Sequence, residues 1–302
     1  MTVLGVVFAP DLPPERLHAA ATAADRAGVE ELWLWEDCFR ESGIACAAAV
    51  LGWTTNLRVG VGVLPIPLRN VAITAMESAT LARLFPDRII VGVGHGVQEW
   101  MGQVGVRPES PMTLFREYVS ALRALLAGDR LTVAGRYVKL DDVGLDWPPP
   151  QPPPVVAGAV GPRTLQLSGE LADGTILTAG TSPEALAAAR RHIDAGRNAS
   201  STSDFRASPR AHRIIVNVHS AIGDALDVAD EAIARLERER VRWGYDTIDD
   251  RCIVGDAHAF ADAIARWVDA GADTVVLQPT PDDPDLAGFM RFVATQVRPL
   301  VP

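Results

Sequence analysis

The residues able to do chemistry sit in short acidic or glycine-rich stretches that follow apolar runs. Trp35-Glu36-Asp37-Cys38 ends one such run, and because side chains alternate along a strand, the two carboxylates cannot face the same way. Either one is solvated and the other caps a helix or pairs with an arginine, or Asp37 works on a bound molecule. Val59-Gly60-Val61-Gly62-Val63-Leu64 holds two glycines inside a strand, a sign that the chain bulges or that something bulky approaches its backbone. A flat ring fits that need, and tight helix-to-sheet packing is the alternative. Gly92-Val93-Gly94-His95-Gly96 lacks the third-glycine spacing and the immediate helix of a dinucleotide fingerprint. It reads as a loop close to a ligand, with His95 a proton donor or relay, or a buried histidine. Ala159-Val160-Gly161-Pro162-Arg163 opens a helix with proline at its first position, free N–H groups, a positive dipole end and an arginine. That combination suits the phosphate of a cofactor, the alternative being an ordinary capped helix start.

Other chemistries are excluded by what is missing. Cys38, Cys46 and Cys252 form no CxxC pair, and His18, His95, His192, His212, His219 and His258 show no HxH or HxxxH spacing, so no metal is expected. Among 28 basic residues only Lys139 is lysine, which removes a phosphate-loop ATPase and a lysine Schiff base. The net charge of −10 argues against nucleic acid and membrane surfaces as partners and leaves a small-molecule substrate. No basic, apolar leader or span-length apolar run is present, so a cytoplasmic protein is expected.

The elements that must position these residues recur as apolar runs, each followed by a segment of helical period. Strands are predicted at Val3–Phe8, Leu32–Glu36, Arg58–Leu64, Arg88–Val93, Pro154–Gly158, Gly174–Thr178, Arg213–His219 and Thr274–Gln278. Helices are predicted at Pro14–Ala27, Gly43–Thr54, Val71–Leu84, Thr113–Ala127, Gly161–Leu171, Pro183–Gly196, Ala225–Trp243, Ala257–Ala270 and Leu286–Val297. Eight alternating units in 302 residues favour a single α/β domain, a closed (β/α)8 TIM barrel, over an open doubly wound sheet. Two insertions are long, His95 to Pro153 after strand four and Ala221 to Asp273 after strand seven. The first carries a β-ribbon over Leu131–Leu140 and a stiff proline block, 147–154; the Ser/Thr-rich Asn198–Pro209 is expected to be mobile.

Taken in order, Gly5–Asp11, Leu32–Asp37, Gly60–Pro67 with Arg69-Asn70, Ala75–Val93, Gly158–Pro162 with Leu171–Gly174, and Val254-Gly255 resemble the bacterial-luciferase-like oxidoreductases. Within them the chain is most similar to the coenzyme F420-dependent branch that includes methylenetetrahydromethanopterin reductase. The resemblance covers nearly the whole length and implies a barrel whose cofactor ring lies over a non-proline cis peptide in strand three, matching Gly62-Val63 and the following Leu64. It also implies a phosphate site around Ala159, Val160, Gly161 and Pro162, and an Asp37 near the reactive end of the cofactor. The implied activity is hydride transfer between the deazaflavin C5 of F420 and a small organic substrate. An FMN-dependent monooxygenase and a non-catalytic cofactor-binding member are the alternatives. A homodimer is implied through helices of the second and third units, with the alanine-rich Ile44–Val50 as a close-packing face. The chain departs from relatives at Cys38, often a histidine, at Val97, a glutamate in sugar-phosphate dehydrogenases, and at Pro65, a threonine in some.

Overall fold

A computed structural model describes residues 2–200, 211–223 and 226–302. Apolar runs with no polar face form parallel strands because both sides of such a strand are buried. β1 (Val3–Val7), β2 (Glu31–Leu34), β3 (Arg58–Pro65) and β4 (Ile89–Gly94) are joined through α1 (Leu17–Ala27), α2 (Gly43–Trp53) and α3 (Val71–Leu84). After β4 come a short α4 (Gln98–Gln103), the barrel helix α5 (Pro111–Leu126) and an antiparallel ribbon of β5 (Leu131–Ala134) and β6 (Lys139–Val143). The second half runs β7 (Val155–Gly158), α6 (Pro162–Leu171), β8 (Gly174–Leu177), α7 (Pro183–Ser200) and β9 (Arg213–Ile222). It then adds α8 (Leu226–Trp243), β10 (Cys252–Gly255), α9 (Ala257–Ala270), β11 (Thr274–Pro279) and α10 (Leu286–Phe292).

Every predicted strand is present. The parallel order β9-β11-β1-β2-β3-β4-β7-β8 closes on itself through β8 and β9, with β10 paired to the far half of β9. The TIM-barrel expectation therefore holds. Two elements were not foreseen: α4, only six residues long, and β10; they lie inside the two long connections after β4 and β9. Most of the expected mobile segment Asn198–Pro209 lies outside the described residues.

Helix ends follow local chemistry. Asn70 Oδ1 accepts from the Ala72 N–H at 2.9 Å, and Asp256 Oδ1 from that of Ala259 at 2.9 Å. Between barrel and helices lies the main core, including Leu32, Leu34, Val59 and Val61, while Val7, Trp33, Ile90, Val156, Ile176, Ile215 and Val276 fill the barrel itself. Its floor is the fully buried Glu31, which accepts from Arg213 at 2.8 Å and from the Trp33 indole at 3.1 Å and lies 3.1 Å from Arg58. Asp173 is structural: it accepts from the Val155 N–H at 2.8 Å and from Arg123 at 3.2 Å.

Candidate active site

The site builds outward from the carboxyl ends of the strands, where a barrel places its chemistry. β3 carries a non-proline cis peptide at Gly62-Val63, where the resemblance placed it, and its register against β4 shifts between Val61 and Leu64. A second cis peptide, Cys38-Phe39, was not anticipated. Gly62 and Val63 are half-buried although Val61 and Leu64 on either side are buried, so this step of the strand opens toward the mouth. The Val63 side chain nests against β4 and β7: a Cβ on Gly94 would meet it at 2.6 Å and one on Gly158 at 3.0 Å. Leu64 turns the other way, where a Cβ on Gly43 would meet it at 3.5 Å. Only its backbone is then available to a molecule in the mouth.

The flat ring that approaches β3 at Gly60 belongs to the protein. A Cβ there would lie 2.5 Å from the Trp33 indole, so this glycine is spent on packing inside the barrel. Packing, the alternative reading of the strand glycines, is thus the one that holds at Gly60; the same ring would lie 3.1 Å from a Cβ on Gly62, which is nevertheless half-buried.

At the end of β2 the adjacent carboxylates divide their work. Glu36 accepts from the Gly43 N–H at 2.8 Å and from Arg69 at 3.1 Å, and Arg69 also pairs with Glu77. Asp37 is half-buried, and its carboxylate has no hydrogen bond or ion pair among the described residues. Burial pushes its pKa above the usual carboxylate range; Arg40 and Arg242 oppose that, and the charge of Asp11 reinforces it.

His95 follows Gly94, which faces Val63, so alternation turns its ring outward toward α5. It lies 4.9 Å from Phe115, its Nδ1 is buried without a partner, and burial holds its pKa below the usual histidine value. The structure therefore does not bring His95 together with Asp37.

Past β7, Ala159 is buried whereas Val160 is 73% exposed and Gly161, Pro162 and Arg163 are exposed. Gly161 caps α6 with extended backbone, proline occupies the first turn, and no side chain covers the helix end. The N–H groups of that turn face solvent, the geometry an anion needs.

Sequence reasoning missed a second group at the mouth, drawn from the ends of β1, β2 and β9 and from α8. Asp11 accepts from Arg40 at 2.5 Å and from Arg242 at 2.9 and 3.1 Å. Trp243 stands edge-on to Trp35 and His219, with ring centroids 5.7 and 5.3 Å away, and donates to Glu239 at 3.1 Å. His219 is fully buried and its pKa is pushed down to about 4, chiefly by burial; its Nδ1 meets the Tyr245 hydroxyl at 3.1 Å. The available signal was position alone: Asp11 and Trp35 follow strand ends, and α8 lies in the long insertion. Among the described residues no group of three or more His, Cys, Asp or Glu side chains is placed to hold a metal ion, and no helix is long and apolar enough to cross a membrane.

This geometry can be set beside known proteins. A family model described as luciferase-like monooxygenase matches residues 5–245. The chain belongs to that family. A curated relative, 5,10-methylenetetrahydromethanopterin reductase of Methanolobus tindarius, is 31% identical over 193 residues, which cover 64% of this chain and 58% of the relative. An F420-dependent glucose-6-phosphate dehydrogenase of Nakamurella multipartita is 30% identical over 183 residues, 56% of this chain and 54% of the relative. The luciferase-like chain thus matches a little over half the length of these curated relatives. A solved F420-dependent secondary alcohol dehydrogenase in complex with an F420-acetone adduct superposes with a TM-score of 0.86 at 20% identity, covering 100% of this chain and 99% of that one. At that identity the likeness speaks for the luciferase-like fold.

Proposed function

We propose that the protein is an F420-dependent oxidoreductase that moves a hydride between the deazaflavin C5 and a small organic substrate. The observation that carries this reading is a half-buried carboxylate, Asp37, with no protein partner, at the same barrel end as the open Gly62-Val63 step. The F420-dependent relative supports F420 over FMN.

The residues present fit such a cofactor. Gly62 and Val63 offer backbone to the face of a ring, and the uncapped start of α6, with Ala159, Val160, Gly161, Pro162 and Arg163, offers N–H groups and a cation to a phosphate. The deazaflavin, when bound, would supply the hydride, which carries both electrons. The chain supplies position and a proton. A carbonyl that receives a hydride at carbon needs a proton at oxygen, and the Asp37 carboxyl group, whose affinity for a proton is raised by burial, is the group at the mouth that would pass one on. In the reverse direction the same carboxylate takes the hydroxyl proton. Val97, exposed beyond β4, has no group to transfer a proton, so a sugar phosphate is not the proposed substrate.

Titration of the purified protein without oxygen, with F420 and separately with FMN, tests this by absorbance. Saturable binding of F420 is expected, with oxidation of reduced F420 by members of a panel of aldehydes and ketones. Asp37→Asn should lower that turnover by about 10²-fold or more while affinity for F420 changes little. Turnover that needs reduced FMN and oxygen overturns the proposal, and F420 binding without turnover across the panel favours the non-catalytic alternative.

A further inference from the structure

We propose that Asp11 is a positioning residue that draws Arg40 and Arg242 away from Asp37 and so keeps the Asp37 carboxyl group free to exchange a proton. This deepens the reading of Asp37 given above and rests on it for its functional meaning, though not for its test.

Three segments far apart in sequence meet here. Asp11 lies just beyond β1, Arg40 three residues after Asp37, and Arg242 near the end of α8, 231 positions from Asp11. Arg40 is held at both ends: its N–H donates to the Asp37 carbonyl at 2.8 Å and its guanidinium donates to Asp11, beyond β1, at 2.5 Å. Arg242 donates to both oxygens of Asp11, at 2.9 and 3.1 Å, and lies 3.8 Å from Glu239. Burial raises the proton affinity of Asp11, but the hydrogen bonds from Arg242 and Arg40 outweigh it and pull its pKa below the ordinary value. Asp11 is therefore the more readily ionised of the two carboxylates.

Both guanidinium groups act on Asp37 electrostatically, yet neither bonds to it. Two arginines next to an unpaired, half-buried carboxylate would ordinarily close on it, because a charge-assisted pair is the strongest contact open to them. What prevents this is the competing anion. The other charged or titratable groups that couple to Asp37 are Cys38 and Glu41 on its own loop; Glu239 on α8 faces Arg242.

The two halves of the device give opposite predictions. Asp11→Asn removes a negative neighbour and releases both arginines, so the Asp37 pKa should fall by about one unit or more, a tenfold loss of proton affinity. Arg242→Gln removes a cation that favours the carboxylate, so the Asp37 pKa should rise. Asp11→Glu keeps the charge and should leave it near the wild-type value. The measurement is a ¹³C NMR titration of the full chain with carboxyl-labelled aspartate, the Asp37 signal being assigned by its loss in Asp37→Asn. Circular dichroism of each variant reports folding.

Opposite shifts in Asp11→Asn and Arg242→Gln support the proposal, since general loosening of the mouth would move both the same way. An unchanged or raised midpoint in a folded Asp11→Asn overturns it, as does a shift of the same sign in both variants. The titration needs neither cofactor nor substrate, so its failure is separable from failure of F420 turnover.

Discussion

Replacing Gly60 by alanine puts a Cβ 2.5 Å from the rigid Trp33 indole, which is fully buried and tied by its N–H to Glu31 at the barrel floor. The ring cannot give way without breaking that bond, so Gly60→Ala should destabilise the fold by about 1–3 kcal/mol. Thermal unfolding would register this as a drop of several degrees, while Gly28→Ala on the surface, with no atom near its Cβ but a φ of +85°, costs only backbone strain of about 1 kcal/mol. At this scale the sequence was legible where one residue constrains its neighbour. Alternation separated Glu36 from Asp37, and the N-terminal proline marked the start of α6. It was opaque where the partner is remote, because no local pattern ties Asp11 to Arg242 or warns that the ring against Gly60 is Trp33.

α6 shows what a whole element contributes. Its exposed first turn has no side-chain cap among the described residues, and Arg163 adds a cation whose side chain is open to solvent. If the cofactor phosphate binds there, Arg163→Glu puts a like charge beside it. Affinity for F420 should fall by about tenfold or more, the loss shrinking as salt is raised, because exposed charges are screened within about 10 Å at 0.1 M ionic strength. Equal affinity of wild type and variant at low salt would place the phosphate elsewhere. Elements with clear periodicity or long apolar runs were found from sequence. α4 and β10 were not, since both lie inside the two long connections after β4 and β9, where the regular strand-helix alternation is interrupted.

The barrel order was readable for the whole molecule because eight repeated strand-helix units leave few ways to bury every strand. The outside of the molecule carries exposed apolar residues on two of its helices. α3 turns Ile73, Met76 and Leu84 to solvent at spacings of three and eight residues, and Met76 is 55% exposed; Leu68 before it and Trp53 at the end of α2 are exposed as well. α2 adds exposed Ala45, Ala48 and Gly52, small enough for close helix approach. Isolated exposed apolar residues are unremarkable, but several on the helices that follow β2 and β3 are what association covers when they form one patch. We propose that a second copy of the chain covers it, as the family resemblance implies. A stable pair would bury roughly 1,200–2,000 Å² in total, and a charge at its centre would have no partner. Met76→Glu should therefore convert a particle of about twice 32.3 kDa into one of single-chain mass by light scattering, without loss of helical signal. A wild-type protein that already runs at single-chain mass at tens of micromolar would remove α2 and α3 as the interface.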